Sequence, residues 1–575
     1  MKRIIPLMLV LALCLGMLAG CGNQKSNPAS TNESIIETVT TQAPEEKPVQ
    51  EAPTSVETEN SAELTETVAE PVVYDLPLTD TPTEFSIVSV KAPDFMSAYI
   101  GTDGSYNTAA SNRYLEEQTG IRIKYIEYDM FSYAQNFNLL IAAGDYPDML
   151  SSLDGSYGGG ITKALDDDVI IDLTDYVMND MPAYYQAVEN ADVWSEIMTD
   201  EGQILTINSI SSQEVINRGP MIRKDWLDAQ NLEVPTTYDE LTEVGAALKS
   251  AYDLDYAFFV SALVNPDITL SAGYDLPGFD INTSGSSFYH EGGQVKSCLV
   301  SEDLRDYLKY LNSWYQKGLI SKDFFTRYAA DVKDAFAGGQ CAVCWDNADY
   351  ITEHNQNEEL IAQGFHCVGL PVTRKDEDQT LHFSLGMGNF VGEGVSISTN
   401  CEDPELLITL MDWFFTEPGI NLCNYGIEGT SYDVDADGHA VWSKNVTEAD
   451  VLFRLALVDY TFSGMPSLWD EQRYWSEIYD EDAYAAVDLW QNVSNDKAWT
   501  MPSALYYTTE EATAYAMKMS DVETRANEFI LSAVIGEVDV DAAWDSYVEE
   551  IWSLGLQDCI DAKQGAYDRY LTRTV

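Results

Sequence analysis

The sequence predicts an α/β protein with room for two domains. Three observations carry this. Residues 85–149 read strand, helix, strand, helix, with a Gly closing each helical run, the order that gives a parallel sheet covered by helices. The chain beyond residue 82 is long enough for two domains. At Ile222–Leu241 a new pair of short helices begins, joined by an elbow at Pro235, which no helix runs through.

Residues 1–20 read as a signal peptide. Lys2 and Arg3 precede an apolar run, Ile4–Gly20, that is short for a membrane span. It ends Leu18-Ala19-Gly20-Cys21, which resembles the bacterial lipobox and implies cleavage before Cys21 and lipidation of its thiol. Two or more acyl chains would give stable anchoring. Residues 21–82 hold that Cys and an acidic linker rich in Ser, Thr, Pro, Glu and Gln, a composition that does not offset chain entropy by apolar burial. A flexible tether of this length reaches about 40 Å, from ~5–6 Å times the square root of residue number. The chain carries 95 acidic and 31 basic residues, a formal charge of −64. That excludes a basic nucleic-acid footprint.

Phe85–Val90 is the first expected strand, a helix follows near Ala109–Gln118, and Ile121–Tyr128 alternates as a second strand. A helix over Tyr133–Ala143 leads through Gly144-Asp145-Tyr146-Pro147-Asp148 into a third strand. Gly202–Asn208 is expected as a further strand. Thr237, three residues before Glu240, has the spacing of a capping box. The helix behind it sets Leu241, Val244 and Leu248 on one face. Tyr256–Val260 reads as a buried strand, Ser301 opens a long helix that closes at Gly318, and Phe390–Ser398 reads as a late strand. The C-terminal part is helical by period.

Several of these stretches resemble one family in order. They are Ile222–Leu241 (IRKDWLDAQNLEVPTTYDEL), Gly144–Leu150 (GDYPDML), Val169–Tyr176 (VIIDLTDY), Trp314–Asp323, Ala335–Asp346, His366–Pro371, Asn424–Thr430 (NYGIEGT) and the C-terminal Trp544–Tyr570. Together they resemble the carbohydrate-type, family 1 extracellular solute-binding proteins of bacterial ABC importers, over residues 84–575. The resemblance implies a two-lobed, periplasmic-binding-protein-like (type II) fold with a hinge and an interlobe cleft. It puts residues 83–212 and 372–430 in the first lobe, and 213–371 and 431–575 in the second. It makes Ile222–Leu241 the start of the second lobe, with Trp226 packed rather than facing ligand.

Catalytic and metal motifs are weak. Cys341-x-x-Cys344 has no second CxxC or His cluster and reads as a strand with its thiols packed inside. Asp433-x-Asp435-x-Asp437-Gly438 begins like a calcium loop, but Lys444 stands where the bidentate Glu is required, so a hairpin turn is expected. There is no GxSxG and no HExxH, and no cofactor is expected. A sugar receptor needs rings for C–H faces and polar side chains for hydroxyls. Loops at expected cleft positions that hold both are Asp154/Tyr157, Trp345/Asp346/Asn347, Tyr425/Glu428 and Trp469/Asp470/Arg473. Trp345 and Asp346 lead because the family phrase is clearest there. The reading is a lipid-anchored, monomeric receptor on the extracellular face of the cell membrane. It would capture an oligosaccharide by hinge closure and deliver it to the transmembrane subunits of an ABC permease. The alternatives are a surface-anchored polysaccharide-degrading enzyme or a receptor for peptides.

Overall fold

The computed structural model describes residues 71–573, apart from 131, 152, 154–156, 212–215, 261–268, 278, 280–286, 328–331, 383–393, 437, 452, 470–477 and 493–498. Cys21, Asp154, Asp437, Asp470 and Arg473 lie outside the described residues. Strand β1 (Thr83–Val90) is followed by helix α1 (Ala110–Thr119), which ends at Gly120 with φ 78°, a left-handed turn that glycine makes without a Cβ clash. Strand β2 (Ile121–Tyr128) then runs parallel to β1, from Thr83 opposite Ile121 to Val90 opposite Tyr128. Helix α2 (Tyr133–Ala143) stops at Gly144, and β3 (Met149–Ser151) pairs with the other edge of β1. The Ser86 backbone N–H and hydroxyl both donate to Asp148 at 2.7 Å, pinning the chain entering β3 to β1. Helix α3 (Gly160–Asp166) follows. The strand expected over 202–208 is instead two isolated bridges, Met198 with Ile204 and Ile207 with Val395. The short β4 (Ile210–Ser211) comes just after.

A second core then begins. Strand β5 (Arg218–Arg223) leads into α4 (Lys224–Gln230) and α5 (Tyr238–Tyr252). The expected capping box is present: the Glu240 N–H donates to the Thr237 hydroxyl, and the Thr237 N–H donates to the Glu240 carboxylate. Trp226 stacks on Tyr252 at 4.2 Å, and the Arg223 guanidinium lies between Trp226 and Phe365. The elbow is therefore a packed support. Helix α6 (Glu302–Gln316) is capped by Ser301 and buries Leu304, Tyr307, Leu308 and Leu311. Each such side chain contributes about 1.5–3 kcal/mol on full burial. Strand β6 (Val343–Asn347), helix α7 (Asp349–Gln356) and strand β7 (Cys367–Gly369) complete a three-stranded antiparallel sheet with β5 in the middle. Tyr256–Val260 forms no strand of its own, although Phe258 bridges both Ile320 and Val343.

The chain then returns. Strand β8 (Val395–Ile397) adds to β3 antiparallel, so the first sheet is mixed, in the order β8-β3-β1-β2. Helix α8 (Pro404–Trp413) covers it. The hairpin expected at 433–438 is formed by β9 (Tyr432–Val434) and β10 (Ala440–Trp442). Helix α9 (Phe453–Leu457) and strand β11 (Leu468–Trp469) follow, with β11 parallel to β4. Phe462 and Met465 belong to the first core, so this stretch packs with the first sheet and not with the second. Helix α10 (Glu481–Gln491) crosses back onto the second sheet. The Trp490 indole N–H donates to the Leu370 carbonyl at 2.8 Å. A Cβ at Gly219 would lie 2.5 Å from the Trp490 ring, which is why β5 carries glycine there. Helices α11 (Thr509–Ile535), α12 (Val540–Leu554) and α13 (Leu556–Tyr570) close over α6 and the second core. Among the described residues the chain thus passes between the cores three times: between β4 and β5, between β7 and β8, and between β11 and α10. Among the described residues no helix is long and apolar enough to cross a membrane.

Candidate functional site

In open α/β sheets, ligands sit beyond the carboxyl ends of the strands. In the first core that edge is marked by Asp459. Its carboxylate accepts from the N–H groups of Gly101 at 2.7 Å and Ala110 at 3.0 Å, capping the start of α1. Helix α9, just before Asp459 in the chain, is thereby held at the same edge. It presents Arg454, which reaches the second core and pairs with Asp349 of α7 at 2.8 Å. Phe453 beside it is anchored edge-on against Trp442.

From the second core the site is built on β5 and β6. Their register sets Arg218 opposite Asn347, and Gly219 opposite Asp346. Strand alternation sends Val343 and Trp345 into the large second core. Asp346 and Asn347, at the strand end, remain partly exposed. Burial pushes the Asp346 carboxyl up to about 6, against the opposing pull of the Asn347 N–H, Arg218 and Arg454. Burial also raises Asp349, against the pull of Arg454. Asp349 Oδ1 is buried and receives no hydrogen bond from the described residues. Tyr350 is half-buried beside both carboxylates.

The structure thus gathers Asp346 and Asn347 with Arg218, Asp349, Tyr350 and Arg454. Trp469 is 37% exposed at the end of β11, paired with Ser211 of β4, whose chain runs on to Arg218. The other predicted residues are elsewhere. Trp345 is only 6% exposed and is packed in the second core. Tyr425 is 3% exposed, its ring 4.7 Å from that of Trp442. Glu428 is exposed and bridges to Tyr432, at the start of the hairpin. The Tyr157 hydroxyl donates to Asp167 at 2.8 Å, holding the ring against α3. Phe95, 67% exposed beyond the carboxyl end of β1, was not anticipated. Its position just past the first strand was the available signal. Asp349 had a signal too, lying in the WDNAD run, whereas Arg454 had none.

Among the described residues no group of three or more His, Cys, Asp and Glu side chains is placed to hold a metal ion. Cys341 and Cys344 are both buried, and burial pushes the Cys341 thiol up to about 12. That makes them packing residues rather than a reactive pair.

The sequence model of bacterial extracellular solute-binding proteins matches residues 99–420, more than half of the chain. The chain belongs to this family. It is 23% identical over 494 residues to the fructooligosaccharide ABC transporter substrate-binding protein FusA of Streptococcus pneumoniae serotype 4, covering 79% of this chain and 86% of FusA. It is 22% identical to the polygalacturonan/rhamnogalacturonan-binding protein YtcQ of Bacillus subtilis, covering 52% of this chain and 59% of YtcQ. The alginate-binding protein AlgQ2 has the same fold, with a TM-score of 0.68 at 24% identity over 85% of this chain and 99% of AlgQ2. The fold is therefore two-lobed and of the periplasmic-binding type, with α/β lobes joined by the crossings described above. The site gathered around Asp346, Asp349 and Arg454 lies between the two cores.

Proposed function

We propose that the protein captures an oligosaccharide between its lobes and delivers it to the transmembrane subunits of an ABC importer. The observation that carries this is the junction itself. A strand end of one core and a helix of the other meet over partly buried carboxylates and guanidinium groups, and the Trp469 ring is exposed where β11 pairs with β4. Carboxylates and guanidiniums satisfy sugar hydroxyls, and rings cover C–H faces. A ligand touching both lobes favours the closed form, and a permease that reads that form senses loading. We assign the ligand contacts to Asp346, Asn347, Arg218, Asp349, Arg454 and Trp469. We set the lobes at 83–211 with 394–469, and 218–369 with 481–573. This moves 431–469 from the second lobe to the first. Cys21 is the proposed lipid anchor, which fits the similarity to the Bacillus subtilis lipoprotein LipO, 24% identical over 352 residues.

The test is a panel of oligosaccharides and peptides titrated into the full chain in a non-sugar detergent, followed by chromatography of each mixture. A ligand selective for the folded protein raises its melting temperature. An oligosaccharide that raises it and is recovered intact supports the receptor. Recovery of shortened sugars would make the protein an enzyme, and a response to peptides alone would change its ligand class.

A further inference from the structure

We propose that the cleft selects glycans without charge and rejects those that carry uronate groups. This rests on the glycan-receptor reading above and narrows it. The names of the relatives point both ways, to fructooligosaccharide in one case and to polygalacturonan and alginate in others, so this chain's own residues must decide.

Three independent features favour an uncharged, hydroxyl-rich ligand. The first is the buried oxygen Asp349 Oδ1, which receives no hydrogen bond from the described residues. A buried acceptor left without a donor is costly, and its complement is a group that donates. A sugar hydroxyl donates; an ionised uronate carboxyl only accepts. The second is the state of the guanidiniums. Arg454 is already committed to Asp349 at 2.8 Å, and Arg218, next to the Gly219 that pairs with Asp346, lends its charge to the Asp346 carboxyl. A uronate that drew Arg454 away would leave Asp349 buried without its cation, a strongly unfavourable exchange. The third is the long-range field. With 95 acidic against 31 basic residues, the molecule repels polyanions during encounter and slows their association. Lys91, just past the carboxyl end of β1, is exposed, and an exposed ammonium adds little at physiological ionic strength.

The experiment uses the full chain in a non-sugar detergent at 0.15 M salt. Neutral fructo-, gluco-, manno-, xylo- and galacto-oligosaccharides are titrated beside oligogalacturonates and alginate oligomers. The expected result is at least one neutral ligand bound at least 100-fold more tightly than any uronate oligomer. In a second arm, Asp349→Asn removes the carboxylate and releases Arg454. Neutral binding should weaken and the preference over uronates should narrow by at least 10-fold, with circular dichroism reporting the fold intact. Asp349→Glu, which keeps the charge, should retain the preference. Uronate oligomers bound as tightly as the best neutral sugar would overturn the inference and leave the glycan receptor standing. An unchanged preference in a folded Asp349→Asn variant would overturn it as well. No binding of either class would remove the receptor reading itself, and the inference with it.

Discussion

Asp346→Asn should make the protein more stable at neutral pH and leave it unchanged in acid. Burial holds the Asp346 carboxyl at about 6 in the folded protein, against an ordinary 3.8. A rise of about two in pKa corresponds to about 3 kcal/mol at 1.36 kcal/mol per unit. Because the folded state keeps its proton at higher pH than the unfolded state does, it binds more protons between about pH 3.8 and 6. Stability therefore falls as pH rises through that window, and the full penalty is present above about pH 6. Asn resembles the protonated acid in shape and bears no charge, so it removes the penalty. For a lobe unfolding as a unit of about 250 residues, ~3 kcal/mol is a rise of about 6 °C in melting temperature. Calorimetric melts of both proteins at steps from pH 4 to 8 read this directly. The difference should be near zero at pH 4 and grow to its full size by pH 7.5. A difference that stays constant with pH, or an Asn variant less stable throughout, would refute the claim that Asp346 is ionised at a cost.

Four further outcomes follow from the packing. Gly219→Ala sets a Cβ 2.5 Å from the Trp490 ring, and overpacking of this kind costs about 1–3 kcal/mol, visible as a lower melting temperature. Trp345→Ala should act on stability rather than only on ligand affinity, since the ring is core and such a truncation costs about 3–5 kcal/mol. A wild-type melting temperature paired with lost binding would put the ring at the ligand instead. Thr237→Ala removes the capping-box hydroxyl and should cost about 1 kcal/mol in the same melts. Cys21→Ala should release the protein from membranes into the soluble fraction, and retention there would rule out the thiol as anchor.

What the sequence disclosed depended on how far apart the cooperating residues stand. Helices α1 and α2 were legible because Gly120 and Gly144 end them locally, and α5 because Thr237 and Glu240 cap it within one turn. The burial of Trp345 was also legible, since it shares a strand face with Val343, two residues before it. The family phrase drew attention to the ring and away from that alternation. The run 202–208 alternates like a strand, yet the fold gives it only two bridges, because pairing depends on neighbours that local pattern does not reveal. Tyr425 is buried because the β9–β10 hairpin folds back over it, a contact with residues up to 17 positions away that local pattern does not reveal. Arg454 and Asp349 stand 105 positions apart, and no local period joins them. Half of the candidate site was thus written in the WDNAD run; Arg218 joins it through strand pairing, and Arg454 only where the two cores meet.

Among the described residues, two ties between the proposed lobes differ in kind, and this bears on which of them a ligand can exchange. At the C-terminal end, Arg573 is almost wholly buried and donates to Asp200 at 2.7 Å and to the carbonyls of Ser195 at 2.7 Å and Ala504 at 2.8 Å. Arg569 shares Asp200 and also holds Glu511. Removing Asp200 leaves the buried Arg573 charge uncompensated, at about 3–5 kcal/mol. The Arg454–Asp349 pair joins a 44%-exposed arginine to a carboxylate that is only 16% exposed, so separating it costs little on the arginine side and more on the Asp349 side, which then needs another donor. Water can take up the released guanidinium there, whereas the Arg573 network has no such route. Of the two, the contact beside Asp346 is therefore the more readily remade. A ligand hydroxyl arriving at Asp349 meets the weaker tie, at the place where the buried acceptor already lacks a donor among the described residues.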